Sequence, residues 1–338
     1  MFEVDQDIRE ARTLHSDFYT DQRYFDEARE KIFARSWQFL AREYDLEHAL
    51  TPITLLPGMF DEPLLLVRTC EYISCLTNVC THRGKVLIEQ PCDGDLIRCS
   101  YHGRRFLLDG TFASMPEFEG VADFPSETEN LRKLPLAERG GFLFTSVAPA
   151  VNFDELIGGV SDHLSNIHTA GLKLAATREY EIDAHWALYC ENYLEGFHIP
   201  YVHHELNKVV DYGTYSTELS RYASLQTGYA AGQVEARYLF VFPNTMFNFY
   251  PWGISVNIVR PMTKDKTIVE FLSYVLDESL MADGAGADLH SVELEDEAVV
   301  ESVQRGIRSR FYTQGRYSPT REQGTHHFHR LIAEFMNA

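Results

Sequence analysis

Two short segments carry side chains suited to a soft metal: Cys80-Thr-His82 and, sixteen intervening residues later, Cys99-Ser-Tyr-His102. Two thiolates and two imidazoles delivered by two loops fit a tetrahedral site, either zinc or an iron–sulfur cluster. A glycine follows each pair, Gly84 after Arg83 and Gly103 after His102. Glycine lets a backbone come close to a cluster and donate N–H groups to sulfur. Buried thiols beside unrelated surface histidines are the plainer explanation. Two matched halves at loop spacing argue against it.

A second group lies in NYLEGFHIPYVHH, residues 192–204. His198 and His203 are five apart, which on a continuous helix would set them roughly 140° from each other. Pro200 is expected to end the helix soon after His198, so that His203 swings back from the following turn. A satisfied core histidine and an exposed one are the bland alternative, and His204 is a rival to His203. A third ligand is expected from LHSVELEDEAVVESVQRGIRSRF, residues 289–311. Its helical stripe is Val292, Val299, Val300, Val303, Ile307 and Phe311, and Asp296 falls inside that stripe. A carboxylate on a buried face must be paired, hydrogen-bonded or metal-bound. Glu293, Glu295, Glu297 and Glu301 read as a solvated acidic face. Two histidines and one carboxylate are the facial ligand set of non-haem Fe(II) oxygenases, with positions left open for O2 and substrate.

These groups need elements to hold them. Residues 21–37 carry a helical stripe at Tyr24, Phe25, Ala28, Ile32, Phe33 and Trp37. From about 50 to 150, short apolar runs (ITLL, LLLVR, YISCL, LIRC, GFLFTSV) alternate with turn residues, which predicts a small all-β domain. Residues 153–168 look helical, and EIDAHWALYCENYLEGFHI opens as a strand and becomes helical before Pro200. YLFVFP, MFNFY, ISVNIVRP and TIVEFLSYVL read as strands of an antiparallel sheet, residues 277–288 as a polar loop, and 289–311 as a helix. The expected class is α+β. Domain limits are expected at 1–36, a helical segment packing on the second domain, at 37–150, the β domain, and at 151–338.

The 338 residues carry 30 Lys and Arg against 50 Asp and Glu, a formal charge of −20. So negative a surface repels nucleic acid and anionic lipid. No apolar run approaches the roughly 18 residues of a membrane span. The first residues show neither a basic n-region nor an apolar h-region, so a cytoplasmic protein is expected. Six cysteines are too few for a disulfide scaffold in so long a chain.

CTHRG and CSYHG resemble the Rieske [2Fe-2S] motif, with Lys85 and Tyr101 where respiratory Rieske proteins carry extra cysteines. The oxygenase-type cluster is the closer likeness, although Ser100 and Arg104 stand where oxygenases usually have Pro and Trp. Glu195, His198, His203 and Asp296 resemble the signature of Rieske oxygenase catalytic domains. NYLEGFHIPYVH, TYSTEL, ESVQRGI, GRY and HHFH narrow the likeness to quaternary-ammonium oxygenases of the choline monooxygenase kind. The resemblance implies a Rieske domain joined to a helix-grip catalytic domain, a [2Fe-2S] cluster on Cys80, His82, Cys99 and His102, and a mononuclear Fe(II) on His198, His203 and Asp296. It implies a homotrimer fed by a separate flavin/iron–sulfur reductase or ferredoxin. Glu195, three residues before His198 and so on the same face of a helix, would carry electrons from His102 of one chain to His198 of the next.

The expected reaction is hydroxylation of a small organic substrate with O2, leaning to a quaternary ammonium compound. Tyr193, Phe197 and Tyr201, with Phe247, Phe249, Tyr250 and Trp252 on a strand, would line the pocket, and aromatic faces can cage such a cation. They equally suit an arene, giving ring hydroxylation by mono- or dioxygenation. A Rieske electron carrier and a zinc-stabilised structural protein are the readings of a different class.

Overall fold

The structure, a computed structural model, describes residues 2–165, 171–281 and 284–338. The end of the helical stretch expected at 153–168 therefore lies outside the described residues, as do two positions of the 277–288 loop.

The chain forms two compact units: Trp37–Val147, and Met1–Ser36 with Ala148–Ala338. The first is all-β apart from short helical turns. The strands Leu50–Leu55, Glu62–Arg68 and Ile73–Thr77 form an antiparallel sheet extended by Lys133–Leu134. LLLV in the middle strand is buried at all four positions, so it reads as a continuous apolar run. A three-stranded sheet of Ile97–Arg98, Arg105–Phe106 and Phe112–Ser114 holds the second Cys/His segment. Leu65, Val67, Leu76, Leu87, Ile97 and Phe106 pack with Cys80 and Cys99 in one core.

The second unit is built on a seven-stranded antiparallel sheet. Its strand order is Lys173–Ile182, Lys266–Val275, Gly253–Thr263, Thr245–Tyr250, Gln233–Val241, Ala223–Ala230 and Ser216–Leu219. Every strand but the first follows its neighbour by a short connection, which is what alternating apolar runs separated by turn residues produce. The helix Trp186–Tyr193 packs on the strand Gly253–Thr263 and on the long helix Leu289–Ile307. In the N-terminal segment a helix, Gln22–Ala28, runs into a π-helical turn, Arg29–Phe33. Phe18 and Phe33 from this segment meet Trp186 edge-on. The final helix, Gln323–Asn337, buries Phe328, Leu331, Ile332, Phe335 and Met336 along one side. Among the described residues no helix is long and apolar enough to cross a membrane.

The long helix corrects one detail of the stripe. Its buried residues are Glu293, Val300, Gln304 and Ile307. Val303 is exposed, and Phe311, beyond the helix end, is 93% exposed. The buried arc is thus centred roughly 50° from Asp296, which stands at its edge.

Candidate metal centres and substrate pocket

In the β unit, both cysteines of the motif are buried and both histidines reach the half-buried rim. Each segment turns back on itself: Gly84 N–H donates to Cys80 O (2.9 Å) and Gly103 N–H to Cys99 O (3.0 Å). Both glycines have φ near +75°, a conformation costly for any residue with a Cβ. The turns aim backbone N–H groups at sulfur, His82 and Arg83 toward Cys80, Tyr101 and His102 toward Cys99. Burial works against thiolate at Cys99, yet these N–H groups outweigh it and hold the thiol below its usual pKa. At Cys80 burial wins and the thiol is pushed up. The two imidazoles stand edge to face, 4.8 Å between centroids. Burial and His102 push the His82 pKa below its usual value, and Nδ1 of each ring is buried without a hydrogen-bond partner. Two orphaned imidazole nitrogens beside two thiols are the donor set a [2Fe-2S] cluster takes. Arg104 lies behind, fully buried, ion-paired with Glu129 and 4.8 Å over the Phe112 ring. It fills the place where oxygenases usually have Trp by stacking on aromatic faces.

In the second unit, the helix Trp186–Tyr193 ends before the histidines, and a turn at Leu194–Phe197 redirects the chain. Pro200 does not end a helix. It sits in the first turn of a new one, Ile199–Val202, where its missing N–H costs nothing. His198 and His203 are the two caps of this single turn, which brings their rings together. His204 is exposed.

His198 Nε2 lies 3.1 Å from His203 Nε2, and Asp296 Oδ1 lies 3.0 Å from the latter and 3.5 Å from the former. The Nδ1 of each ring is held by a carboxylate, Glu195 Oε1 at 2.6 Å for His198 and Glu295 Oε2 at 2.7 Å for His203. A carboxylate on Nδ1 is the arrangement that orients a ring and turns its Nε2 toward a metal ion. Two Nε2 atoms and a carboxylate oxygen so close together make a site that a cation can fill. Ligand atoms about 2.1 Å from one ion at right angles stand about 3.0 Å apart, which the three separations approach. Burial lowers the His203 pKa, but Asp296 and Glu295 outweigh it and raise it overall, the mark of an anionic nest.

Two features were not legible beforehand. Asn192 Nδ2 donates to Asp296 Oδ1 at 2.6 Å and so aims the carboxylate. Glu293 is not on a solvated face. It is 4% exposed, with Tyr189 Oη donating to its Oε2 at 2.8 Å, and burial and the nearby Asp296 charge push its carboxyl well above the usual range. Glu195 also differs in its reasons. It meets His198 through the turn, its Oε2 accepting from the backbone N–H groups of Phe197 and His198, not through a shared helix face.

A cavity of about 100 Å3 opens beside His198, His203 and Asp296, between the sheet and the long helix. Tyr193, Tyr215, Tyr238 and Tyr250 line it, with Tyr189, Phe271 and Asn248. Tyr193 Oη donates to Asn248 Oδ1 at 2.7 Å. Only Tyr193 and Tyr250 of the expected aromatics are there. Tyr201 is 73% exposed and Phe197 half-exposed. Phe247 and Phe249 alternate with Asn248 and Tyr250 and so face the other side of the strand. Trp252 stacks behind Tyr250, 5.1 Å between rings. Gly196 packs so close to Tyr215 that a Cβ there would lie 2.7 Å from the ring.

Residues 36–125 match the Rieske [2Fe-2S] domain, and residues 211–338 match the ring hydroxylating alpha subunit catalytic domain. The two units are thus those of an oxidoreductase that carries a [2Fe-2S] cluster and a mononuclear iron and acts on a small substrate with O2 and a reductase. The chain is 31% identical to chloroplastic choline monooxygenase of Arabidopsis thaliana over 96% of its length and 83% of that protein. It is 30% identical to the carnitine monooxygenase oxygenase subunit of Escherichia coli K12, over 96% and 94% of the two chains. With these relatives it belongs to the Rieske non-haem iron oxygenase family. Its backbone superimposes with a TM-score of 0.82 on the quaternary ammonium Rieske monooxygenase CntA in complex with L-carnitine, at 27% identity, covering 97% of each chain.

Proposed function

We propose that this chain is the oxygenase component that hydroxylates a small quaternary ammonium compound. One observation carries the reading: a cavity bounded by five tyrosines adjoins His198, His203 and Asp296, and among the described residues none that lines it is Lys or Arg. Aromatic faces attract a cation that has no N–H to donate, and a pocket free of basic side chains does not repel it. The names of the relatives support the same class of substrate.

In this reading Cys80, His82, Cys99 and His102 hold the cluster, in a Rieske domain of residues 37–150. His198, His203 and Asp296 hold the iron in a catalytic domain of residues 151–338, with residues 1–36 packed on it. The metal centres supply electron storage and O2 activation. The chain's own residues orient the site. Glu195 and Glu295 keep the ring protons on Nδ1, Asn192 aims Asp296, and the tyrosines hold the substrate and exclude water. Glu195 is further proposed to bridge His198 and His102 of the partner subunit in a homotrimer, so that an electron passes from one metal centre to the other across it. We place the reaction in the cytoplasm, where reductases of the flavin/iron–sulfur kind are available.

Single turnover needs no cognate reductase. Chemically reduced protein, mixed with O2 and either choline, carnitine or glycine betaine, should give one hydroxylated or dealkylated product per active site. Turnover of naphthalene or another arene, with none of the ammonium compounds consumed, would overturn the substrate reading in favour of ring hydroxylation.

A further inference from the structure

The tyrosine faces of the pocket attract a cation but carry no formal charge. Glu293 can carry one. Its carboxylate is buried in the pocket wall, on the long helix one turn before Asp296. One oxygen, Oε2, is taken by the Tyr189 hydroxyl; the other, Oε1, is buried with no hydrogen-bond partner. The charges that act on it most are those of Asp296 and Glu297, both negative. Tyr189 lends only a neutral phenol. A buried carboxyl so placed is unfavourable as an anion until a positive group sits against it.

Other pocket groups already have their partners. Glu195 is bound to His198, Asp296 to Asn192 and His203, and Asn248 to Tyr193. Glu293 alone among the lining carboxyl groups has no nitrogen partner.

We propose that Glu293 is the specificity-determining counter-charge for the substrate's quaternary nitrogen. This rests on the ammonium reading above and adds a residue to it. The tyrosine faces shape the cavity and attract the cation, and the carboxylate adds a formal negative charge. A quaternary ammonium is a suitable occupant because it neutralises Oε1 without requiring a hydrogen bond. A neutral isostere leaves the carboxyl as it was. The part of the discrimination between the two that is lost when its charge is removed therefore measures Glu293.

The probes are choline and its neutral isostere, in which carbon replaces the quaternary nitrogen. Their dissociation constants are measured by calorimetry on iron-loaded protein, wild type and Glu293→Gln. Wild type should bind choline at least about tenfold more tightly than the isostere, a gap worth about 1.4 kcal/mol. Glu293→Gln, which keeps the shape and the Tyr189 bond, should weaken choline by a similar factor and leave the isostere within threefold. Iron content of the variant, and partial rescue by Glu293→Asp, separate a lost charge from a collapsed site. A variant that discriminates as wild type does would overturn the role of Glu293 and leave the ammonium reading standing. A wild type that does not discriminate would overturn both.

Discussion

Asp296 Oδ1 and His203 Nε2 stand 3.0 Å apart although 93 residues separate them in the chain. The approach is made by two rigid devices. The single helical turn Ile199–Val202 presents both histidines, and the 19-residue helix Leu289–Ile307 presents the carboxylate from the edge of its buried arc. Asn192, on the helix packed against Leu289–Ile307, ties the carboxylate down. Packing thus holds the three side chains together.

That arrangement predicts a measurable part for Asn192. Asn192→Ala should leave the fold and the cluster intact but loosen Asp296, lowering affinity for the mononuclear iron by about 10–100-fold. Iron retention during dialysis against a chelator checks it. Unchanged retention would show that the helix alone orients the carboxylate.

Glu195 makes a separate prediction. Its Oε1 lies 2.6 Å from His198 Nδ1. Glu195→Gln removes the charge and keeps the shape, so both metal centres and the oligomer should persist while cluster-to-iron electron transfer slows and activity falls by at least about tenfold. Rapid mixing of the reduced variant with O2 and substrate, following reoxidation of the cluster, reads the rate. An unchanged rate, or a fully active monomer, would remove the inter-subunit bridge.

His185 governs a pH dependence of stability. It is fully buried among Phe18, Tyr19, Phe25 and Trp186, and burial lowers its pKa from 6.5 to about 3. Between those values the unfolded chain binds a proton that the folded chain refuses. The stability is therefore complete above pH 6.5 and is lost as pH falls toward 3, with roughly 2 kcal/mol gone between pH 7 and 5. His185→Asn keeps a side chain able to accept from Ala187 N–H and removes the titration. Its thermal midpoint should fall less steeply than that of wild type over the same range, and an equal fall would contradict the assignment.

How far the sequence reached depended on how local the signal was. Cys80, His82, Cys99 and His102 sit in two turns closed by their own glycines, so spacing alone marks them as a group. His198 and His203 were visible as a pair, yet the turn that joins them was not, because Pro200 can close one helix or open another. The stripe on residues 289–307 located Asp296. It misjudged Glu293, because the rule that acidic residues face water has no knowledge of the Tyr189 hydroxyl waiting on another helix. Strand alternation explains the pocket error: Phe247 and Phe249 could be assigned to a face only once Asn248 and Tyr250 were known to look inward. Tyr215 and Tyr238 come from strands or turns distant in sequence, and no local pattern marks them. The final helix, Gln323–Asn337, has a clear amphipathic run, but its Gly and His residues hid it among motif likenesses.

The most direct test of the two-centre account is an iron and sulfide count on wild type and Asp296→Ala. Wild type should hold roughly three irons and two acid-labile sulfides per chain, two of the irons in the cluster. Asp296→Ala should hold roughly two irons with the sulfide unchanged, keep the reduced-cluster paramagnetic signal, and lose product formation in single turnover. A variant that keeps three irons, or one that loses cluster and iron together, would contradict the assignment of His198, His203 and Asp296 as a separate iron site.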